Sequence, residues 1–227
     1  MKIIAIIPAR GGSKRLPRKN LQPLGGKPLI VHSINAANDS KLVQRCIVST
    51  DDQEIISVSN DAGSEVIIRP PELSGDIIMP DAALIHVLDY LVKTENYEPD
   101  IIVFLQPTSP LRTANDIDAA INLFINESAD SLLSVSAAHA FTWRIENDIA
   151  YPLNYNYMDR PRTQDAPQDH VENGALYVFK PAVIRKYGQR LGGKIVAYIM
   201  SVLNSVDVDD FNDLKLVNLI YSTNKKH

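Results

Sequence analysis

Seven cations gather within the first 38 residues of the chain, a stretch that contains no Asp or Glu. Most of them follow the apolar run 3–7, in a loop that holds the pair Gly11-Gly12. Glycine lets backbone N–H groups approach an anion closely, and Lys and Arg side chains neutralise its charge. All 27 acidic residues lie further along a chain whose net charge is −4. This separation of charge predicts that the loop binds an oligophosphate.

The loop matches neither the Gly-x-x-x-x-Gly-Lys-Ser/Thr phosphate-binding pattern nor the Gly-x-Gly-x-x-Gly dinucleotide-binding pattern. A basic, solvated turn is therefore the alternative to an anion site. We expect at least two of Lys14, Arg15 and Arg18 to be solvated cations that take no part in binding.

A pair of carboxylates near the end of the chain, in Asp207-Val208-Asp209, is the second pattern with chemical potential. In extended backbone, side chains two residues apart project to the same face. Mg²⁺ is held by one or two carboxylates together with substrate phosphates, so this pair predicts a magnesium site. The alternative is an acidic turn, which the oligophosphate loop elsewhere in the chain disfavours. Asp210 is predicted to begin the last helix.

The composition is that of a soluble globular protein, with 45% hydrophobic and 22% charged residues among 227. The apolar runs are shorter than the ~18 residues of a membrane span, so no membrane partner is expected. The negative net charge argues against nucleic acid and favours a small anionic substrate. The single Cys46 excludes an internal disulfide and fits a cytoplasmic location.

Short β-branched runs alternate with helix-length amphipathic segments. Strands are predicted at 3–7, 46–49, 65–68, 101–105, 131–135, 175–179 and 195–199, and helices at 28–38, 53–62, 81–93, 115–126, 182–187 and 210–221. Apolar strands that alternate with helices indicate an α/β domain with a mixed, mostly parallel sheet between helices. In such sheets ligands bind at the carboxyl ends of strands, where the cationic loop lies.

The stretch 137–172 breaks this alternation, because it is rich in Tyr, Pro and polar residues and shows little periodicity. The simplest interpretation of this stretch is an ordinary long loop. Structureless loops longer than ~15 residues are uncommon in a compact domain unless they are functional or packed on something. We therefore interpret this stretch as an excursion that docks on another subunit.

Five stretches of the chain occur in the order typical of one family. They are the loop 9–20, Gln106-Pro107-Thr108-Ser109-Pro110-Leu111-Arg112, Asn173-Gly174-Ala175-Leu176-Tyr177, Tyr198-Ile199-Met200-Ser201 and Ser205-Val206-Asp207-Val208-Asp209. Together they resemble the acylneuraminate cytidylyltransferases, also called CMP-sialic acid synthetases, over most of the chain. The resemblance implies one nucleotidyltransferase-type, Rossmann-like domain over residues 1–227, with 137–172 as a dimerisation and sugar-pocket excursion.

The resemblance also implies an enzyme that transfers CMP from CTP to the anomeric hydroxyl of an N-acylneuraminate-type nine-carbon sugar. Pyrophosphate would leave, and Mg²⁺ would be required. These motifs contain no His or Cys residue that would point to a covalent enzyme intermediate. We therefore expect direct displacement driven by positioning and electrostatics.

Residue roles follow from the same resemblance. Arg10 and Lys19 look like the phosphate-binding catalytic pair, because they would balance charge on the α-phosphate and the departing pyrophosphate. Ala9 and Asn20 look like nucleotide-holding elements together with Arg10. Arg69, at a strand exit, could donate to a base carbonyl, and a surface salt bridge is its alternative.

The acceptor sugar would meet a separate group of side chains. Gln106 offers a donor and an acceptor to a polyhydroxylated sugar, and the fork of Arg162 suits its carboxylate. Asn173 and Tyr177 belong to the same implied sugar pocket. Arg144 stands where the family supplies a cation across the dimer interface.

Two departures from the family pattern leave alternatives open. Asp76-Ile77-Ile78-Met79-Pro80-Asp81 lacks the small hydroxyl residues usual beside the nucleotide, and Val171-Glu172 stand where some relatives have Arg. A related acceptor of the Kdn, legionaminic, pseudaminic or Kdo type is therefore an alternative, with Kdo ranked low. From another class, a non-catalytic nucleotide-binding module would be favoured if Asp207 or Asp209 were missing, and both are present.

Overall fold

The computed structural model describes residues 1–73, 75, 78–138, 140–166 and 168–224. Eleven strands occur among them: β1 (Ile3–Pro8), β2 (Pro23–Leu24), β3 (Lys27–Pro28), β4 (Arg45–Thr50), β5 (Glu65–Ile68), β6 (Ile101–Leu105), β7 (Ser131–Ala138), β8 (Trp143–Glu146), β9 (Ile149–Pro152), β10 (Asp169–Phe179) and β11 (Ile195–Met200). The helices are α1 (Leu29–Asn38), α2 (Gln53–Asp61), α3 (Pro80–Glu95), α4 (Ala114–Asn126), α5 (Pro181–Tyr187) and α6 (Phe211–Asn224).

Seven strands form one mixed sheet in the order β11-β7-β10-β6-β1-β4-β5. The pairs β1–β4, β1–β6, β4–β5 and β7–β11 are parallel, whereas β10 runs antiparallel to both β6 and β7. The carboxyl ends of the parallel strands therefore meet at one edge of the sheet, together with the amino end of β10. The predicted mixed, mostly parallel α/β fold is confirmed.

Helices cover both faces of this sheet because each presents one apolar side to it. On α3, the predicted core face of Leu84, Val87, Leu88 and Leu91 is at most 2% exposed. It packs with α5 on one face, while α1, α2 and α4 bury their apolar sides on the other.

A third apolar cluster lies apart from the sheet, and seven buried residues form it: Leu16, Leu24, Leu29, Leu111, Val208, Leu214 and Val217. It joins the cationic loop, the small β2–β3 hairpin and α6. Gly25 lies at φ +57°, and a Cβ there would stand 2.0 Å from Cε1 of Tyr221 on α6. This position therefore requires glycine for two reasons, its backbone conformation and the close approach of the helix.

The predicted strands and helices all occur, with ends that differ by a few residues. Two short hairpins, β2–β3 and β8–β9, were not predicted, and β10 begins at Asp169 rather than at residue 175. Its first half exposes Val171 and Glu172, so the sequence there lacks the continuous apolar run of a buried strand. Pro28, expected within the first turn of a helix, instead precedes α1 as its N-cap residue.

The excursion 137–172 contains more regular structure than its sequence predicts. β7 extends into its beginning and β10 into its end, and the β8–β9 hairpin turns at Asn147 and Asp148, both with positive φ. Four aromatic rings contact one another along it: Phe141, Trp143, Tyr155 and Tyr157. Within the described part of the chain, no helix is long and apolar enough to cross a membrane.

Candidate active site

A cavity of about 590 Å³ opens at the edge of the sheet where the parallel strands end. Its polar lining comes from the cationic loop, the exits of β5 and β6 and the segment before α6: Arg10, Ser13, Lys14, Arg15, Lys19, Asn20, Arg69, Gln106, Thr108 and Asp209. Its apolar side is formed by Leu73, Ile78, Met79, Pro80 and Phe104. Among the residues that the structure describes, the lining therefore carries five cations and one carboxylate, as an anion site would.

The cationic loop is tied to the sheet by its own backbone. The Ala9 N–H donates to the Ser49 carbonyl at 2.9 Å, which continues the pairing of β1 with β4 for one residue beyond the strand. The Asn20 side chain is buried and donates to the Arg10 carbonyl at 3.0 Å. Asn20 thus closes the loop on itself, and Arg10 and Lys19 face the cavity from either end of it.

Lys19 and Arg15 both pair with Asp209. The Lys19 ammonium lies 2.9 Å from one carboxylate oxygen and the Arg15 guanidinium 2.9 Å from the other. The hydrogen bond from Lys19 is the largest cause that lowers the pKa of Asp209. The Lys19 side chain is only 18% exposed and that of Arg15 is 75% exposed, so Arg15 is the partner that can leave with less rearrangement.

Asp207 lies on the same side of its segment as Asp209, because both carboxylates interact with Lys19 and Val208 between them is fully buried. Burial is the main cause that raises the pKa of Asp207. Its Oδ1 atom is buried and finds no hydrogen-bond partner in the described residues. An unpaired carboxylate oxygen next to a second carboxylate is a donor set that suits a hard divalent cation.

No group of three or more potential metal ligands occurs among the residues that the structure describes. The pair Asp207 and Asp209 would therefore need further oxygen ligands from a substrate. Mg²⁺ is commonly bound by such a small set of protein ligands, and phosphate oxygens and water complete its coordination. The residues present fit a magnesium ion that arrives with a nucleotide.

Arg69 follows β5, lines the cavity and is buried. Its Nε donates to the Ser49 hydroxyl at 3.2 Å and its Nη2 to the Ser49 carbonyl at 2.7 Å. Burial is the largest cause that lowers its pKa, opposed by the charge of Asp51. Among the described residues, Arg69 is thus held by the exit of β4 and forms no surface salt bridge, which was its alternative. Of the segment 76–81, Asp76 and Ile77 lie outside the described residues.

Gln106 directly follows β6, and Asn173 lies on the neighbouring strand β10. The Gln106 Oε1 accepts from the Thr108 hydroxyl at 3.3 Å, and the Asn173 Oδ1 accepts from the Ser134 hydroxyl at 2.6 Å. A Cβ at Gly174, which has φ +71°, would lie 3.3 Å from the Gln106 Nε2. The glycine therefore permits the side-chain amide of Gln106 to lie against the β10 backbone. The Asn173 Nδ2 is buried without a partner among the described groups.

Tyr177 lies beneath the site rather than on its surface. It is 2% exposed, its ring stacks on Phe104, and its hydroxyl donates to the Glu172 carboxylate. The Arg190 guanidinium lies 4.3 Å from the ring centroid and also pairs with Asp81 at 2.6 Å. Burial is the first cause that raises the pKa of Tyr177 to about 12. Its hydroxyl is engaged, so any effect of Tyr177 on a ligand would pass through Phe104 or Glu172.

Arg144 and Arg162 lie on the excursion, outside the cavity. The Arg144 side chain is 62% exposed on β8, and that of Arg162 is 76% exposed and pairs with Asp165 at 2.6 Å. In the cationic loop, Arg18 turns away from the cavity and pairs with Glu54 at 2.6 Å, whereas Lys14 and Arg15 line it. Of Lys14, Arg15 and Arg18, at least two of which were expected to be solvated cations without a role in binding, only Arg18 therefore lies outside the cavity.

Some lining residues were not identified from the sequence. Phe104 belongs to an apolar strand and is predicted as core, although its ring also borders the cavity. Thr108 lies two residues after Gln106 in the same motif. Its position close to a strand exit could have identified it as a lining residue. The residues before α3 on the apolar side of the cavity, Leu73, Ile78 and Met79, lie in a stretch whose sequence pattern does not differ from that of an ordinary loop.

Comparisons with known proteins agree with this geometry. A family model described as Cytidylyltransferase matches residues 4–221. An N-acylneuraminate cytidylyltransferase A of Danio rerio is 37% identical over 91% of this chain and 48% of its own length. A pseudaminic acid cytidylyltransferase of Campylobacter jejuni is 31% identical over 99% of this chain and 98% of its own. The chain thus spans about half the length of the N-acylneuraminate relatives but the full length of the pseudaminic one.

Solved structures show the same fold. A CMP:2-keto-3-deoxy-manno-octonic acid synthetase, solved in complex with CTP, superposes with a TM-score of 0.72 and 20% identity, covering 99% of this chain and all of the other. A 4-diphosphocytidyl-2C-methyl-D-erythritol synthase superposes with a TM-score of 0.71 at 12% identity. The family match over nearly the whole sequence and the full-length relative lead to one conclusion: this chain belongs to the cytidylyltransferase family, and its resemblance to the acylneuraminate cytidylyltransferases is confirmed.

Proposed function

We propose that the protein transfers CMP from CTP to the anomeric hydroxyl of a nine-carbon acidic sugar of the N-acylneuraminate type and releases pyrophosphate. The observation that carries this proposal is the cavity itself. Its lining includes Arg10, Lys14 and Lys19, the last paired with Asp209, and it also includes Gln106. A triphosphate would meet the cations, while a hydroxylated acceptor would meet the side-chain amide. The N-acylneuraminate and pseudaminic relatives supply the substrate class.

The protein's own groups would act by positioning and charge. Arg10 and Lys19 would bind the phosphates and stabilise charge that develops on the leaving pyrophosphate. Arg69 and Asn20 would hold the nucleoside, with the Ala9 backbone fixing the loop. Asp207 and Asp209 would hold Mg²⁺, which when bound withdraws charge from phosphate oxygens and aligns the leaving group. The sugar hydroxyl would attack the α-phosphate in line, with no covalent enzyme intermediate.

A pseudaminic-type sugar is the second candidate acceptor. The observation that favours it is coverage, since the pseudaminic relative matches over the full length of both chains. Glu172, exposed beside Asn173, supplies a carboxylate that can accept hydrogen bonds from amide or hydroxyl groups of such a sugar. The single buried Cys46 agrees with a reducing cytoplasm as the place of this reaction.

The first prediction concerns the substrates. Pyrophosphate release should require CTP, the nucleotide of the cytidylyltransferase family, and ATP, GTP and UTP should support little turnover. The buried Arg69 would donate to the cytosine carbonyl, a group that adenine lacks. The assay compares the four nucleotides across N-acetylneuraminic, Kdn, legionaminic, pseudaminic and Kdo acceptors. Equal rates with a purine triphosphate would overturn the nucleotide assignment. CTP binding without turnover on any acceptor would favour a non-catalytic nucleotide-binding module.

The second prediction is a homodimer built by the excursion. The β8–β9 hairpin exposes Ile145 and Ile149 by 71% and 56%, and Met158 nearby is 78% exposed. Exposed apolar side chains concentrated on one segment are typical of an interface. A second copy of the chain is the partner we propose, with its Arg144 and Arg162 reaching towards the sugar carboxylate.

Sedimentation should show a dimer for the wild type and a monomer for the double variant Ile145→Asp/Ile149→Asp. Leu219→Asp, which changes an equally exposed residue on α6, is the matched control and should stay dimeric. Equimolar Lys19→Ala and Arg144→Ala proteins, each impaired, should together recover roughly a quarter of wild-type activity, because half of the dimers then hold one intact site. A fully active monomer would refute the shared site.

A further inference from the structure

A buried arginine that the proposed chemistry does not use lies directly behind the acceptor side of the cavity. Arg112 is 2% exposed. Its guanidinium donates to three groups on three elements: the Gln106 carbonyl at the exit of β6 (3.3 Å), the Ala175 carbonyl on β10, and the Ser33 hydroxyl on α1 (2.8 Å). No described carboxylate pairs with it directly. It is therefore bound by two backbone carbonyls and one hydroxyl, and its buried Nε has no partner among the described groups.

Those two carbonyls belong to irregular backbone. The pairing of β10 with β7 shifts register between Glu172 and Tyr177, and its pairing with β6 begins at Leu176. Ala175 thus lies outside both ladders. Gln106 follows the last residue of β6 and has no strand partner either. A buried carbonyl without a donor is costly. Arg112 donates to the Ala175 carbonyl, and it shares the Gln106 carbonyl with the Ser109 N–H (3.3 Å) and the Ser33 hydroxyl (3.4 Å).

Burial of this cation is itself unfavourable. Burial lowers the pKa of Arg112 to about 10, and the charge of Asp116 only partly opposes that effect. Asp116 is occupied elsewhere, since its carboxylate accepts from the Thr113 backbone and from Tyr198. An apolar side chain would fill the same space without this cost, but it could not join two irregular segments.

The joined segments are the ones that carry the acceptor contacts. Ala175, whose carbonyl accepts from Arg112, donates its N–H to the Asn173 Oδ1 and follows the left-handed Gly174, against which the Gln106 amide lies. We propose that Arg112 is a positioning residue for the acceptor half of the site, fixing Gln106 and Asn173 relative to each other. This inference rests on the proposed function only in naming the ligand as the acceptor sugar.

The kinetic test uses Arg112→Lys and Arg112→Met, with Ile121→Val on α4 as a control for a weakened core. Lysine keeps the charge but loses the fork, so we expect the KM for the sugar to rise ~10-fold, and ~100-fold or more with methionine. The KM for CTP should change less than ~2-fold, because Arg112 touches none of the nucleotide-side residues. Ile121→Val should lower Tm and leave both constants unchanged. A parallel rise of both constants, or no rise, would overturn the proposal.

Hydrogen exchange gives a readout that does not need turnover. In Arg112→Lys, protection should fall at the amides of Ser109, Ala175 and Leu176, which close the two irregular segments, and stay unchanged at Ala9 and Gln22 in the cationic loop. Equal loss at both places, or no loss, would contradict a local positioning role. A wild-type protein without sugar transfer would defeat the proposed function, while this comparison would still decide the role of Arg112. If the methionine variant does not fold, the lysine variant carries both tests.

Discussion

Lys19→Ala is expected to lower kcat by ~10²–10³, the loss seen when one preorganised charge-stabilising group is removed. In the structure Lys19 is largely buried and paired with Asp209, so its ammonium is already fixed at the cavity wall. Under the proposed function, Lys19 would gain a second partner when a triphosphate binds, and that interaction would strengthen as charge moves onto the leaving pyrophosphate. Arg10→Ala should have an effect of the same order.

The matched control is Arg18→Ala, which removes a cation from the same loop. Arg18 pairs with Asp52 and Glu54 away from the cavity, so its loss should leave kcat within ~2-fold of wild type. Steady-state kinetics with saturating sugar distinguishes the outcomes. An unchanged kcat with a raised KM for CTP would mean that Lys19 binds ground state and transition state equally.

Asp209→Ala should abolish turnover at ordinary Mg²⁺ concentrations, because it removes one of the two carboxylates expected to hold the ion. A second effect follows from the ion pairs. Loss of the carboxylate frees Lys19 and Arg15 and removes a charge that repels phosphate, so metal-free CTP should bind at least as tightly as to wild type. Titration calorimetry with and without Mg²⁺ measures this. In the wild type, metal and nucleotide should bind with positive coupling, and the variant should lose it.

The neighbouring Asp210→Asn provides the control for Asp209. The Asp210 carboxylate caps α6 by accepting from the N–H groups of Asn212 and Asp213, and asparagine caps helices about as well. It should therefore retain both activity and Tm. An Asp209→Ala enzyme with wild-type activity and an unchanged Mg²⁺ requirement would show that the ion is bound elsewhere.

The sequence predicted the strands best where both faces of the sheet are covered. The bounds of β6, an unbroken apolar run that is buried throughout, were predicted to the residue. The bounds of β5 were also predicted to the residue, although it is an edge strand whose Glu65 and Ile68 are exposed. The first half of β10 and the β8–β9 hairpin have exposed side chains, so their sequences carry no burial pattern. The first half of β10 pairs with a strand that is distant in sequence, and β8 and β9 pair with each other across a tight turn. Local periodicity reveals neither kind of pairing.

The same distinction applies to the candidate site. Arg10, Arg69 and Gln106 each follow a strand end, and the parallel topology brings strand ends together, so their convergence could be inferred from sequence. The burial of Tyr177 and the pairing of its hydroxyl with Glu172 depend on a register shift within β10. The contacts of Arg112 depend on that same shift. A bulge has no signature in this sequence beyond Gly174, so neither feature could be predicted.

The third apolar cluster links the stability of the cationic loop to the last helix of the chain. Leu16 from the loop and Val208 between the two acidic residues share it with Leu214 and Val217 of α6. This packing is separate from the two clusters that hold the sheet. Detachment of α6 would therefore release the loop and the Asp207–Asp209 segment in one step while the strands stayed paired. We therefore expect the cations and the carboxylates to separate as one cooperative unit, so that local unfolding of α6 removes activity before the sheet unfolds.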